Sequence, residues 1–227
     1  MTTGDETSLL SASSHSITVP IHGRYLVATP KSSAPAPLLV GFHGYGEHAE
    51  CHLANLNRIP GSNQWVRVAV QGLHRFYSAS GKHTVASWMT RQDRELAIAD
   101  NLGYINEVVR AVKKSFDTSD TLVYCGFSQG VSMAYRAATR GNYTPAGVVA
   151  LSGDVPPELK NDPTVNWPPV LIGRGHTDEW YTEARMKLDV GYFNSMDIEV
   201  ESLGFAGGHE WTDVFRTAVG RFLAARR

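Results

Sequence analysis

The stretch from Thr121 to Arg140 constrains this chain more than any other. Thr121-Leu122-Val123-Tyr124-Cys125 is β-branched, aromatic and apolar, the make-up of a buried strand. Gly126-Phe127-Ser128-Gln129-Gly130 follows, and then Met133, Ala134, Ala137 and Ala138 within a run free of Pro and Gly. Strand, G-x-S-x-G and helix in that order make a nucleophile elbow, a sharp turn that pushes its serine out of the sheet. The glycines two residues before and after Ser128 would prevent collisions where strand and helix pass close together. Free N–H groups at the start of the helix would face the serine and stabilise negative charge developing there.

The flanking sequence extends this unit into an α/β pattern. Short strands are expected over Ser16 to Pro20 and Gly23 to Ala28, and core strands at Pro37 to Phe42 and Trp65 to Val70. Cys51 to Asn57 reads as a short helix. Gln92 to Phe116 reads as a long one, with Leu96, Ala99, Leu102, Ile105, Val109, Val112 and Phe116 on its buried face. Further strands are expected at Gly147 to Leu151, Pro169 to Gly173 and Asp197 to Leu203, with helices over Glu179 to Tyr192 and up to about Ala225. Strands alternating with helices imply a mostly parallel sheet covered on both faces, without a lid domain. Residues 1–15, polar and rich in Thr and Ser, read as a flexible tail ahead of one domain over 16–227.

Composition narrows the partners. Lys and Arg number 21 against 22 Asp and Glu, so no overall field draws in nucleic acid or an anionic membrane. No apolar run approaches the length of a membrane span, and no secretory leader is expected. Of the two cysteines, Cys51 and Cys125, the second falls inside a core strand and reads as a buried thiol, which fits a reducing compartment.

In parallel sheets, functional residues collect beyond the C-terminal ends of the strands. Collecting polar residues there gives His43, Tyr45, Ser128, Asp154, Asp178 and His209. Ser128, Asp178 and His209 follow the chain order serine, acid, histidine. A serine hydroxyl needs a base, His209 can take its proton, and Asp178 can hold the imidazole in the productive tautomer. Gly207 and Gly208 would let the loop carry His209 over the serine. Asp154 and Glu179 remain alternatives for the acid. Backbone N–H groups of Tyr45 and Gln129 are the expected oxyanion donors. The stretch from 71 to 90 has no period and carries Leu73, Phe76, Tyr77 and Trp88, so it is the candidate acyl-binding wall. The other side of the site, near Trp180 and Tyr181, is the fallback.

These residues together resemble the phospholipase/carboxylesterase family of α/β-hydrolases, which includes acyl-protein thioesterases. The resemblance rests on Phe42-His43-Gly44-Tyr45-Gly46-Glu47, on Gly126 to Gly130 with Met133-Ala134, on Gly175-His176-Thr177-Asp178, and on Gly208-His209. It runs from about residue 35 to the C-terminus. It implies a cytoplasmic serine esterase without cofactor, acting on short- to medium-chain esters, lysophospholipids or thioesters; a homodimer is left open. Val131 stands where the family usually has glycine, and Glu179 where it commonly has proline.

Rival readings use the same residues. A serine peptidase or acyltransferase would need the same three groups, and a binding module could occupy the same fold. His43, His48 and His52 with Glu47 and Glu50 form a dense cluster, but Glu210 after His209 makes no H-E-x-x-H pattern, so no metal is expected.

Overall fold

In the computed structural model, residues 13–31 and 34–227 are described. Seven strands form one sheet in the order β1-β3-β2-β6-β7-β8-β9. These are β1 (Arg24–Ala28), β2 (Ala36–Phe42), β3 (Val66–Gln71), β6 (Thr118–Phe127), β7 (Gly147–Leu151), β8 (Val170–Gly175) and β9 (Val200–Phe205). Only β1 is antiparallel to its neighbour; all other pairs are parallel. A separate antiparallel hairpin is made by β4 (His74–Tyr77) and β5 (Thr84–Ser87).

The continuous apolar runs are buried on both faces because side chains alternate across the sheet. Leu38, Val40 and Phe42 of β2 join Tyr124, Val148, Ala150 and Ile172 in one core. Leu39 joins Val123, Cys125, Val149 and Leu171 in the other. The first core is covered by α2 (Arg94–Ser115), α3 (Gln129–Arg140) and α5 (Glu183–Ser195). The second is covered by α1 (Ala49–Asn57) and α6 (Asp213–Ala224). A short α4 (Pro157–Lys160) interrupts the proline-rich loop after β7. Among the described residues no helix is long and apolar enough to cross a membrane. The expected tail over 1–15 falls almost wholly on residues outside the described ones.

Several expectations are corrected. Ser16 to Pro20 is not a strand: the segment is exposed and unpaired, and β3's free edge is taken by β1 starting at Arg24. The 71–90 stretch is not structureless but carries the β4–β5 hairpin, hidden because β4 is exposed throughout and gives no alternation. On α2 the buried face begins with Ala97, Ile98 and Asn101, whereas Leu96 and Ala99 are exposed. Asn101 is a polar residue in a core position, its Nδ2 donating to the carbonyls of Trp88 and Ala97, so the apolar pattern misplaces that turn. α5 starts at Glu183 and not at Glu179, because the N–H groups of Trp180 and Tyr181 are drawn to Asp178.

Candidate active site

Strand β6 delivers Ser128 to the edge of the sheet with φ 52° and ψ −121°, a conformation that side-chain-bearing residues rarely adopt. Its backbone is held on both sides: Ser128 N–H donates to the Leu151 carbonyl at 2.9 Å, and Val131 N–H donates to the Ser128 carbonyl at 3.0 Å. Both flanking glycines are required by close approach. A Cβ on Gly126 would lie 2.5 Å from Val131 Cα, within the strand-to-helix turn. A Cβ on Gly130 would lie 2.1 Å from the Phe42 carbonyl oxygen, so this glycine lets α3 pass the end of β2.

The loop after β9 brings His209 over the elbow. Gly207 turns it with φ 145°, while Gly208 has no such conformation. His209 Nε2 stands 2.7 Å from Ser128 Oγ, and its Nδ1 stands 3.0 Å from each oxygen of Asp178. Asp178 follows β8 and is 4% exposed. Burial alone would raise its pKa, but the Tyr181 N–H, the nearby Ser152 hydroxyl and His209 outweigh that and hold it below the ordinary value. Asp154 is partnered differently: its carboxylate accepts from Arg185 Nη1 at 2.7 Å. Glu179 makes no contact with His209 among those that place the imidazole.

The loop after β2 runs beside the elbow. Gly44 N–H donates to Glu47 Oε2, Glu47 N–H to the Gly44 carbonyl, and Gly46 N–H to the Ala86 carbonyl. The amides on both sides of Tyr45 are thus committed, and the Tyr45 N–H stands outside that network. Gln129 is the first residue of α3, so its N–H has no carbonyl one turn earlier to bond.

The Gln129 side chain, which the motif does not single out, clamps the strand end of the hairpin. Its Oε1 accepts from Trp88 N–H at 2.9 Å and from Ser87 Oγ at 3.2 Å, and its Nε2 donates to the Met89 carbonyl at 2.8 Å. Trp88 Nε1 in turn donates to the His43 carbonyl at 2.8 Å. His43 is buried, with Nδ1 2.7 Å from the Gly44 carbonyl and Nε2 accepting from Gly72 N–H at 3.0 Å. Burial, opposed by the Gly44 carbonyl, lowers its pKa to about 4, so it is a neutral strut. His48 caps α1 through its Nδ1, and His52 is buried beneath the sheet against Trp211. The three histidines of the cluster therefore do different things.

A cavity of about 320 Å³ opens at Ser128 and His209. Its walls include Arg94, Ser132, Arg136, Asp154, Trp180 and Arg185. None of Leu73, Phe76, Tyr77 or Trp88 lines it. Trp88 is wholly buried and Leu73 is buried, while Phe76 and Tyr77 are exposed, Phe76 packing its ring on Tyr45 at 5.5 Å. The fallback residues Trp180 and Tyr181 do line the cavity. The arginines were not singled out in the sequence. The spacing of Ser128, Ser132 and Arg136 in steps of four was the available signal.

A mostly parallel sheet, helices on both faces, and an elbow serine facing a histidine and a buried acid define an α/β-hydrolase. The family model described as Phospholipase/Carboxylesterase matches residues 24–225. The chain belongs to that family of hydrolytic enzymes, and the match reaches ahead of residue 35 to take in β1. Solved structures agree on the fold. Esterase PE8 is 20% identical with a TM-score of 0.72, over 91% of this chain and 100% of that one. The Bacillus cereus carboxylesterase is 15% identical with a TM-score of 0.70, over 90% of this chain and 95% of that one. Acyl-protein thioesterase 2 of Zea mays is 19% identical with a TM-score of 0.68, over 90% of this chain and 99% of that one. No curated protein matches the sequence.

Proposed function

We propose that this chain is a serine esterase that cleaves small carboxylic esters through an acyl-enzyme on Ser128. The observation that carries the reading is the 2.7 Å approach of His209 Nε2 to Ser128 Oγ, with His209 Nδ1 held by Asp178. His209 Nε2 takes the hydroxyl proton as Oγ attacks the ester carbonyl. Asp178 accepts the Nδ1–H, which leaves Nε2 free to act as base and stabilises the imidazolium. The oxyanion is received by the Tyr45 and Gln129 N–H groups, at the positive end of α3. His209 returns the proton to the leaving alcohol, then activates water against the acyl-enzyme. The three groups are already assembled, and the reading assigns no step to a cofactor.

The test pairs a fluorophosphonate label with substitution. Ser128→Ala is expected to lower kcat on p-nitrophenyl butyrate by about 10⁴-fold or more without lowering Tm. Labelling at a residue other than Ser128, or an active Ser128→Ala protein, overturns the assignment.

A further inference from the structure

The cavity beside Ser128 is more cationic than a pocket for a plain acyl chain needs to be. Arg94, Arg136 and Arg185 take part in its walls, against a single lining carboxylate, Asp154. Ser132 and Arg136 follow Ser128 in steps of four along α3, so they lie on one side of the helix. Each step advances about 6 Å along the axis. The floor of the cavity therefore runs from the Ser128 hydroxyl toward Arg136, whose guanidinium lies buried on Glu158.

The partners of these arginines show how the charge is held. Arg136 has a wholly buried side chain, with Nη2 2.6 Å and Nε 2.8 Å from Glu158 Oε1. Its Nη1 faces the thioether sulfurs of Met89 and Met133 and not an oxygen. The same Glu158 is the more distant partner of Arg94, at 3.9 Å, and Arg94 also reaches the exposed Glu95 at 2.9 Å. Arg185 pairs with Asp154 at 2.7 Å. The Arg94 and Arg185 side chains are 37% and 56% exposed. Ion pairs of that kind are weak and exchange readily for another anion. Val155, Pro156 and Trp180 supply apolar wall between the charged groups.

This composition decides what the cavity favours. An apolar chain entering it would strip water from guanidinium groups and return nothing, which is unfavourable. A carboxylate would replace that water with charge-assisted hydrogen bonds, and the planar fork of arginine matches it in two-point contact. We propose that this cavity is a subsite for an anionic group, so that the ester hydrolysed carries a carboxylate on one side of its scissile bond, received by the part-exposed Arg94 and Arg185. The inference rests on Ser128 being the nucleophile, as argued above.

Two matched pairs of substrates test it. Monoethyl glutarate is compared with ethyl glutaramate, its neutral amide counterpart, and O-butanoyl glycolate with O-butanoyl glycolamide. In at least one pair, kcat/KM for the anion is expected to exceed that for the amide by tenfold or more. The pair that responds tells whether the acyl or the alcohol side enters the cavity. The preference should shrink severalfold between low and high salt. It should fall to near unity in the Arg94→Met, Arg185→Met double variant, whose Tm checks that it folds. Hydrolysis of p-nitrophenyl butyrate with both amides equal to or better than their anions overturns the subsite and leaves the esterase reading standing. An anion preference that persists in the double variant also overturns it. Failure to hydrolyse any of these esters strikes the esterase reading itself.

Discussion

Asp178 and His209 meet with both carboxylate oxygens 3.0 Å from the same ring nitrogen, Nδ1. The carboxylate is oriented by chain that immediately follows it, since Oδ1 accepts the N–H groups of Trp180 and Tyr181 at 2.9 Å each. This wrap is what delays α5 to Glu183. It leaves Asp178 no freedom to turn from the imidazole.

Asp178→Asn is therefore expected to lower kcat/KM by about 10⁴-fold, because an amide would favour the wrong tautomer of His209. Asp154→Asn breaks an exposed pair with Arg185 and should cost far less. Steady-state rates of the two variants on one ester are the check. The reverse order would move the role to Asp154.

The Gln129 clamp should act on rate and not on affinity. Gln129→Leu keeps the backbone N–H but abandons Trp88 N–H and the Met89 carbonyl, which are part-buried. Each unpaired group costs about 1–3 kcal/mol. Because Trp88 also holds the His43 carbonyl, the loosened hairpin releases the loop that carries Tyr45. The expected result is a fall in kcat of roughly 10–100-fold, less than the roughly 10²–10³-fold lost when an oxyanion donor is removed outright, with KM little changed. A change in KM alone would mean the clamp shapes substrate binding instead.

Trp88 separates a wall residue from a core residue. It is wholly buried and packs edge-on against Phe42 at 5.5 Å. Trp88→Ala should cost about 3–5 kcal/mol of stability, as large core truncations do, and lower activity on acetate, butyrate and octanoate esters alike. Phe76→Ala, on a partly exposed ring, should leave Tm nearly unchanged. A deficit that grows with acyl length in either variant would restore the 71–90 stretch as acyl wall.

The elbow was legible because local sequence alone dictates it: a buried strand, two glycines forced by close approach, and a helix. Asp178 and His209 were legible because chain order and strand ends limit the candidates to a few. The cavity was not. The rest of its lining comes from the start of α2, α3 as far as Arg136, the loop after β7 and the start of α5, which only the folded sheet brings together. The large apolar residues expected in 71–90 do not line that cavity, for a physical reason. Trp88 is apolar because it fills core beside Phe42, and Leu73 is buried away from the cavity; periodicity cannot distinguish either from a wall. Asn101 misled in the opposite sense, as a buried polar residue whose amide serves two carbonyls.

Buried imidazoles make stability depend on pH. His52 is wholly buried, and among the described residues neither ring nitrogen has a hydrogen-bond partner, the Cys125 carbonyl being the polar group that faces it. Burial, with a smaller effect from His43, lowers its pKa to about 3. His43 is lowered to about 4 by burial, against the ordinary 6.5 of the unfolded chain. Below pH 6.5 the unfolded chain takes up protons that the folded one refuses, so stability is full above that value and is lost as pH falls toward the folded pKa. Each group should then remove about 1.4 kcal/mol per pH unit, or roughly 2 kcal/mol between pH 7 and pH 5. His52→Leu removes one of these groups, a buried imidazole that has only the Cys125 carbonyl to face, at similar volume. It should stabilise the protein by about 1–3 kcal/mol at pH 7, the usual cost of unsatisfied polar groups. At pH 5 the gain should be larger by roughly 2 kcal/mol, or about 4–8 °C in Tm for a chain of this size. Thermal unfolding of both proteins at the two pH values is the measurement. If His52→Leu melts earlier than wild type at both, or the difference does not widen on acidification, the imidazole has a partner that matters, and His52 is not the source of the acid lability.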